Sequence, residues 1–344
     1  MARLIDMRSD TVTRPTAAMR EAMARAEVGD EVMGEDPTVR ALVDKACALF
    51  GKEAGLFVSS GTQANQIAIK VHTQPGDDVV ADALCHPVRS ELGAAALISG
   101  VHFALIAAER GVYTRTQAEA MLRSGHWMQP RSALLWVENT HNAGGGQIFP
   151  LGDLDGLRAL SLERGIPLHV DGARIFNAVV ASGVAPGEWG RRCDSLSFCL
   201  SKGLGCPVGS VLLGTQAFIA RARQVRQMLG GGWRQAGILA AAGLHALEHH
   251  VRRLAEDHAN ARRFAEIAAA IRGVSLVYKD TPTNLVFLDV QASGKTAAQV
   301  AERLRADGVA LAVRGPTTFR AVAHLDVSRA DVEQAAAALA RAMA

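Results

Sequence analysis

Asp171 and Lys202 each close an apolar run, Ile166-Pro-Leu-His-Val-Asp171 and Ser195-Leu-Ser-Phe-Cys-Leu-Ser-Lys202. A carboxylate and an amine delivered to one place suit pyridoxal 5'-phosphate. The aspartate can keep the pyridine nitrogen protonated, which makes the ring an electron sink, and the lysine can carry the aldehyde as a Schiff base. Runs of this kind read as strands, and ligands of open α/β sheets sit beyond the carboxyl ends of the strands. A third element, Ser60-Gly61-Thr62-Gln63, leaves a strand-like run and opens a helix-like one. Free N–H groups and the helix dipole there favour an anion, so the turn is a candidate phosphate cup, although the same residues also serve as an ordinary helix cap.

These groups need a scaffold that brings them together, and the surrounding pattern supplies one. Strand-like segments at 55–60, 78–81, 101–106, 133–137 and 166–170 alternate with helix-like ones at 39–50, 63–72 and 151–164. Such alternation predicts a mostly parallel sheet covered by helices on both faces. An alanine-rich stretch from Gly237 to about Ile271 reads as one long helix bridging two domains. Beyond it, segments at 284–290, 296–306, 309–313 and 318–322 and a closing helix from Asp331 suggest a small α/β unit with its own sheet. The expected division is an N-terminal arm (1–14), a large domain (15–250) and a small C-terminal domain (251–344).

Composition narrows the function classes. Basic and acidic residues number 37 and 34 with no long block of one sign, so nucleic acid is not implied. The first residues carry charges where a signal peptide needs an apolar run, and no apolar run approaches the ~18 residues of a membrane span. A cytoplasmic enzyme is expected. Cys47, Cys85, Cys193, Cys199 and Cys206 form an odd set without a C-x-x-C pair, which argues against disulfides and structural zinc. No histidine spacing suggests a metal site, and His249 and His250, in a polar helix-like run, are expected on a solvated face.

Five segments carry a family resemblance: Leu-Ile-Asp-Met-Arg-Ser-Asp-Thr-Val-Thr (4–13), Gly-Asp-Glu-Val-Met-Gly-Glu-Asp-Pro-Thr-Val (29–39), Glu-Asn-Thr-His-Asn (138–142), His-Val-Asp-Gly-Ala-Arg-Ile-Phe-Asn (169–177) and Leu-Ser-Lys-Gly-Leu-Gly (200–205). Over nearly its whole length the chain resembles the low-specificity L-threonine aldolases. The resemblance implies a fold type I, PLP-dependent transferase-like architecture and a homotetramer built as a dimer of dimers with shared active sites. It also implies reversible cleavage of β-hydroxy-α-amino acids, such as L-threonine, L-allo-threonine and phenylserine, to glycine and an aldehyde. Lys202 then resembles the Schiff-base lysine, Asp171 the partner of the ring nitrogen, Ser60, Gly61 and Thr62 phosphate ligands, and His86 the histidine stacked on the ring. Ser9, Arg174 and Arg320 resemble a carboxylate clamp, with Arg174 also near the cofactor. His86 and His141 are candidate bases for the β-hydroxyl.

In Gly230-Gly-Gly-Trp-Arg-Gln235, Arg234 resembles a residue that approaches the phosphate of a neighbouring subunit. Trp233 stands where relatives carry Met, Gln227 where many carry Lys, and the segment after His86 lacks an aromatic residue two positions on. These departures bear on phosphate contacts and on the choice of β-substituent. The same cofactor anchors would also serve β-elimination or transamination, and a catalytically dead scaffold that only binds is a third reading. Release of glycine plus aldehyde, rather than pyruvate plus ammonia, separates them.

Overall fold

A computed structural model describes residues 3–344. Its centre is a seven-stranded sheet of β2 (Ala54–Val58), β3 (Asp78–Asp82), β4 (His102–Ile106), β5 (Ser132–Glu138), β6 (Leu168–Asp171), β7 (Ser195–Cys199) and β8 (Ser210–Gly214), in the order β2-β8-β7-β6-β5-β3-β4. From β7 to β4 all neighbours are parallel, while β8 runs antiparallel to both β7 and β2. The two-residue period of a strand divides the apolar side chains between two cores. Leu56, Val58, Val79, Ala81, Leu134 and Trp136 pack on one face, against the helices Gly61–His72 and Gln216–Met228. Phe57, Val80, Leu135, Val137 and Val170 pack on the other, against Pro37–Phe50, Leu151–Arg164 and Gly237–His249. Burial on both faces explains why these strands read as apolar runs rather than as alternation.

A second sheet has the order β12-β13-β10-β9 and is antiparallel throughout, built from β9 (Ser275–Leu276), β10 (Leu285–Asp289), β12 (Ala312–Val313) and β13 (Thr318–Val322). Its core joins Val286, Leu288, Phe319 and Ala321 to the helices Leu254–Ala269, Ala297–Ala306 and Arg329–Met343, and it takes in Ile5 and Met7 from the other end of the chain. Those two residues arrive through β1 (Ile5–Asp6), which pairs parallel with β11 (Val309–Ala310). The arm is stitched further by Val322 N–H to Met7 O and by His324 Nε2 to Asp6 O at 2.7 Å.

The structure departs from the sequence expectations at two places in this region. The single helix expected over 237–271 is two, Gly237–His249 and Leu254–Ala269, broken at 250–253. His250, expected on a solvated face, is buried at that break, where its Nδ1 meets the Leu204 carbonyl at 2.7 Å; its neighbour His249 is exposed. The run Val309–Val313 is likewise two short strands that pair with different partners. Among the described residues no helix is long and apolar enough to cross a membrane.

Candidate active site

Parallel pairing sets the carboxyl ends of β5, β6 and β7 side by side, with Glu138 opposite Asp171 and Asp171 opposite Ser197. Lys202 follows three residues after the end of β7. The three strand ends and the first turn of the helix Gly61–His72 enclose a cavity of about 240 Å³. Ser60, Gly61, Thr62, His86, Asp171, Arg174 and Lys202 all line it, so seven residues scattered over the sequence meet at one place. A Cβ on Gly61 would stand 2.7 Å from Cys199 Sγ, so the close approach of helix and strand requires glycine here.

Asp171 is 2% exposed, and each of its oxygens has one partner. Oδ1 accepts from Ala173 N–H at 3.0 Å and Oδ2 from Asn65 Nδ2 at 2.9 Å. The same Asn65 nitrogen donates to Glu91 Oε1 at 2.8 Å. Glu91, itself buried, accepts from Gln66 at 2.6 Å and holds His86 Nδ1 at 2.7 Å. The hydrogen bond to Glu91 raises the pKa of His86 against the opposing effect of burial, with Asp171 and Glu138 adding to the rise. Glu138 ties two segments together, accepting from His86 N–H at 2.7 Å and Asn142 N–H at 2.8 Å.

Three cationic groups differ in how far they are already satisfied. The Arg174 guanidinium is clamped by buried Asp10 through two bonds of 2.6 Å, and it also reaches Asn142 Oδ1 at 3.3 Å. Burial opposes the Asp10 charge, but Arg174 overcomes it and holds the carboxyl far below its ordinary range. Arg320, on β13 and only 4% exposed, donates to Asn142 Oδ1 at 2.8 Å and Arg8 O at 3.0 Å, and its Nε has no partner. Burial, Arg174 and Arg314 together lower its pKa to about 9. Its guanidinium is thus buried against neutral acceptors with no carboxylate bonded to it, whereas buried charges are ordinarily paired. Among the described residues the Lys202 amine makes no hydrogen bond or ion pair, while Thr13 Oγ1 fixes its backbone by donating to Lys202 O at 2.9 Å.

Four sequence candidates stand outside the cavity lining: Arg320, which touches it through Asn142, and three others. His141, 1% exposed, is outside the cavity wall: its Nδ1 accepts from Gly144 N–H at 2.9 Å, which leaves Nε2 facing Asp82 at 3.0 Å. Burial opposes its protonation, yet Glu138 and Asp82 hold its pKa above the ordinary value. Ser9 caps the short turn Asp10–Val12 by accepting from Thr11 N–H at 3.3 Å, and it is Thr11 that lines the cavity. The Arg234 side chain is 63% exposed and pairs with Asp30 at 3.0 Å, away from the cavity of its own chain. Asn65, Glu91, Asn142 and Asp10 are the participants that the sequence did not assign. The available signal was the polar pair Asn65-Gln66 inside an otherwise apolar helix face.

Residues 6–293 match the beta-eliminating lyase family. The low-specificity L-threonine aldolase of Escherichia coli strain K12 is 44% identical, over 97% of this chain and 98% of that protein. Low-specificity L-threonine aldolase 1 of Arabidopsis thaliana is 39% identical, over 99% and 97%. The chain belongs to this lyase family and, within it, to the low-specificity L-threonine aldolases. The fold agrees: a solved Leishmania major threonine aldolase superposes with a TM-score of 0.84 at 20% identity, covering 99% of this chain and 100% of that one. Members of the family are pyridoxal-phosphate-dependent lyases, and so is this chain.

The cavity fits that cofactor. Gly61 and Thr62 N–H have no protein acceptor among the described residues, because the Ser60 cap serves Gln63 at 3.1 Å and Ala64 bonds Ser60 O. A phosphate can take them. A buried carboxylate for a ring nitrogen and an unengaged lysine amine complete the donor set. Among the described residues no cluster of three His, Cys, Asp or Glu side chains is arranged to hold a metal ion.

Proposed function

We propose that this chain cleaves β-hydroxy-α-amino acids, L-threonine and L-allo-threonine among them, reversibly to glycine and an aldehyde. The observation that carries the reading is the convergence of Lys202, Asp171 and His86 in one cavity, with Arg320 behind Asn142 still lacking a carboxylate. Lys202 would hold the cofactor aldehyde, Asp171 its ring nitrogen, and Ser60, Gly61 and Thr62 its phosphate. Pyridoxal phosphate, when bound, supplies the electron-withdrawing ring that accommodates the electron pair left at Cα.

The chain's own groups do the rest. Arg320, with Asn142 and Arg174, binds the substrate carboxylate and so fixes which Cα bond faces the reaction. His86, with Nδ1 committed to Glu91, presents Nε2 to the cavity as the proton acceptor for the β-hydroxyl. His141, occupied by Gly144 and Asp82, supports the wall instead.

The same proposal extends to organisation. The turn at 250–253 is the boundary between a large domain and a small one, with the arm packed on the latter. Arg234 reaches a cofactor phosphate in a neighbouring subunit of a homotetramer, and the exposed Leu92 and Leu97 offer apolar surface for such contacts. The five free thiols suit a reducing, cytoplasmic setting. Incubation with L-allo-threonine and L-threonine tests the activity: glycine and acetaldehyde in equal amounts are expected, and 2-oxobutanoate with ammonia would assign β-elimination instead.

A further inference from the structure

A third guanidinium shares the face of the small sheet that carries Arg320. In the β12–β13 hairpin Ala312 stands opposite Arg320 and Val313 opposite Phe319, and Arg314 N–H bonds Thr318 O at 2.8 Å. Side chains alternate across a sheet, so Ala312, Arg314, Thr318 and Arg320 lie on one face. Phe319, fully buried in the small core, marks the other. β12 is the edge strand, which leaves Arg314 at the exposed margin of the face from which Arg320 reaches Asn142 on the cavity wall.

The charges on this face do not balance. Asp10 is fully engaged by Arg174. Among the described residues neither Arg320 nor Arg314 has a carboxylate partner. The three cations feel one another: partial burial and then Arg174 lower the pKa of Arg314, while burial first and then Arg174 and Arg314 lower that of Arg320 against the opposing pull of Asp10. An isolated surface arginine stays clear of like charges, whereas cations gathered without anions raise the energy of the free protein until an anion arrives. The α-carboxylate of an amino acid supplies one negative charge, which Arg320 takes. One cation, Arg314, is left over at the exposed margin of the same face.

We propose that Arg314 binds a second substrate carboxylate, so that the chain accepts β-hydroxy-α-amino acids whose β-substituent is acidic. This rests on the aldolase reading and names a substrate class for the same site. For 3-hydroxyaspartate the Cα–Cβ bond breaks, the hydroxyl proton leaves to a base, and Cβ becomes the aldehyde carbon of glyoxylate. The electron pair retained at Cα takes up a proton to give glycine, and no external oxidant or reductant is involved.

The test compares kcat/KM for 3-hydroxyaspartate and L-allo-threonine, read as glycine released, in the wild type, Arg314→Gln and Arg314→Lys. Arg314→Gln is expected to lower kcat/KM for the dicarboxylate at least about tenfold more than for L-allo-threonine, and Arg314→Lys to recover part of the difference, since charge is what the pairing needs. Succinate should inhibit the wild type more strongly than propionate, and Arg314→Gln should erase that preference. Equal losses on both substrates, or no loss, overturn the proposal. A fall in pyridoxal phosphate affinity in Arg314→Gln that accounts for the whole effect assigns the residue to the cofactor and overturns it too. Wild-type protein that cleaves L-allo-threonine but not 3-hydroxyaspartate removes this proposal alone, whereas release of glycine from neither removes the aldolase reading with it.

Discussion

Glu91 holds His86 by a 2.7 Å hydrogen bond to Nδ1, and the carboxylate that does so is buried and also bound by Asn65 and Gln66. The bond settles which imidazole nitrogen faces the cavity and raises the pKa of the ring. A base works in its neutral form, so activity should rise with pH through that raised pKa. Glu91→Gln keeps an acceptor for Nδ1–H but removes the charge, and the acidic limb of kcat/KM should therefore move to lower pH. An unmoved limb in the pH profile would take His86 out of the role of base.

Asp171→Asn leaves the shape of the cavity nearly intact and removes the charge proposed to keep the cofactor's ring nitrogen protonated. Cofactor should remain bound, as read by absorbance after desalting. Turnover should fall by about a hundredfold or more, the scale seen when an electrostatic partner of a reacting group is lost. Near-normal kcat would contradict the assignment. Borohydride reduction followed by peptide mapping checks its companion, with the cofactor expected on Lys202.

The Asp10–Arg174 pair is a matter of stability as well as of position. Both groups are buried, and removing one partner strands the other, at a cost of about 3–5 kcal/mol. Asp10→Asn should lower Tm accordingly, as read by thermal unfolding. The sign with pH follows from the depressed carboxyl: its stabilisation is present above the unfolded-state pKa and is lost as pH falls toward the folded-state value. The variant should thus lose less stability than the wild type between neutral and acid pH.

Arg234 gives a prediction about assembly. Its side chain pairs with Asp30 outside the cavity of its own chain, so the proposed contact with a cofactor phosphate would be made across subunits. Arg234→Ala should weaken pyridoxal phosphate binding by about tenfold or more, the cost of a charge-assisted contact, and binding by the wild type should weaken on dilution below the assembly concentration. Sizing chromatography with cofactor titration decides it. A monomer that binds as tightly as the oligomer would rule out shared sites.

Much of this site is legible in the chain because its anchors are local. Ser60-Gly61-Thr62 sits at a strand-to-helix turn, and Asp171 and Lys202 end apolar runs, so period and punctuation expose them. The partners are another matter. Glu91 meets His86 five residues away but Asp171 only through Asn65, and Asp10 meets Arg174 across most of the large sheet's sequence. Periodicity reports that a side chain is buried and never what it is buried against. The same limit explains the helix expected over 237–271: alanine-rich periodicity continues across the break, which His250 fills by bonding Leu204 O. His141 lies in the same Glu-Asn-Thr-His-Asn segment as Glu138 and Asn142, which do line the cavity, yet its own ring faces Asp82.

The pairing of β1 with β11 carries a consequence for biogenesis. The arm that carries Ile5, Met7 and Asp10 emerges from the ribosome early, but its strand partner at Val309–Ala310 and the core it completes are synthesised only near the end of the chain. The large sheet can assemble during translation, while the arm must wait, unpaired, for a contact of very high sequence separation. Because Asp10 on that arm also pairs with Arg174 at the cavity, one segment joins the core of the small sheet to the buried ion pair of the site, and both contacts close long loops of chain.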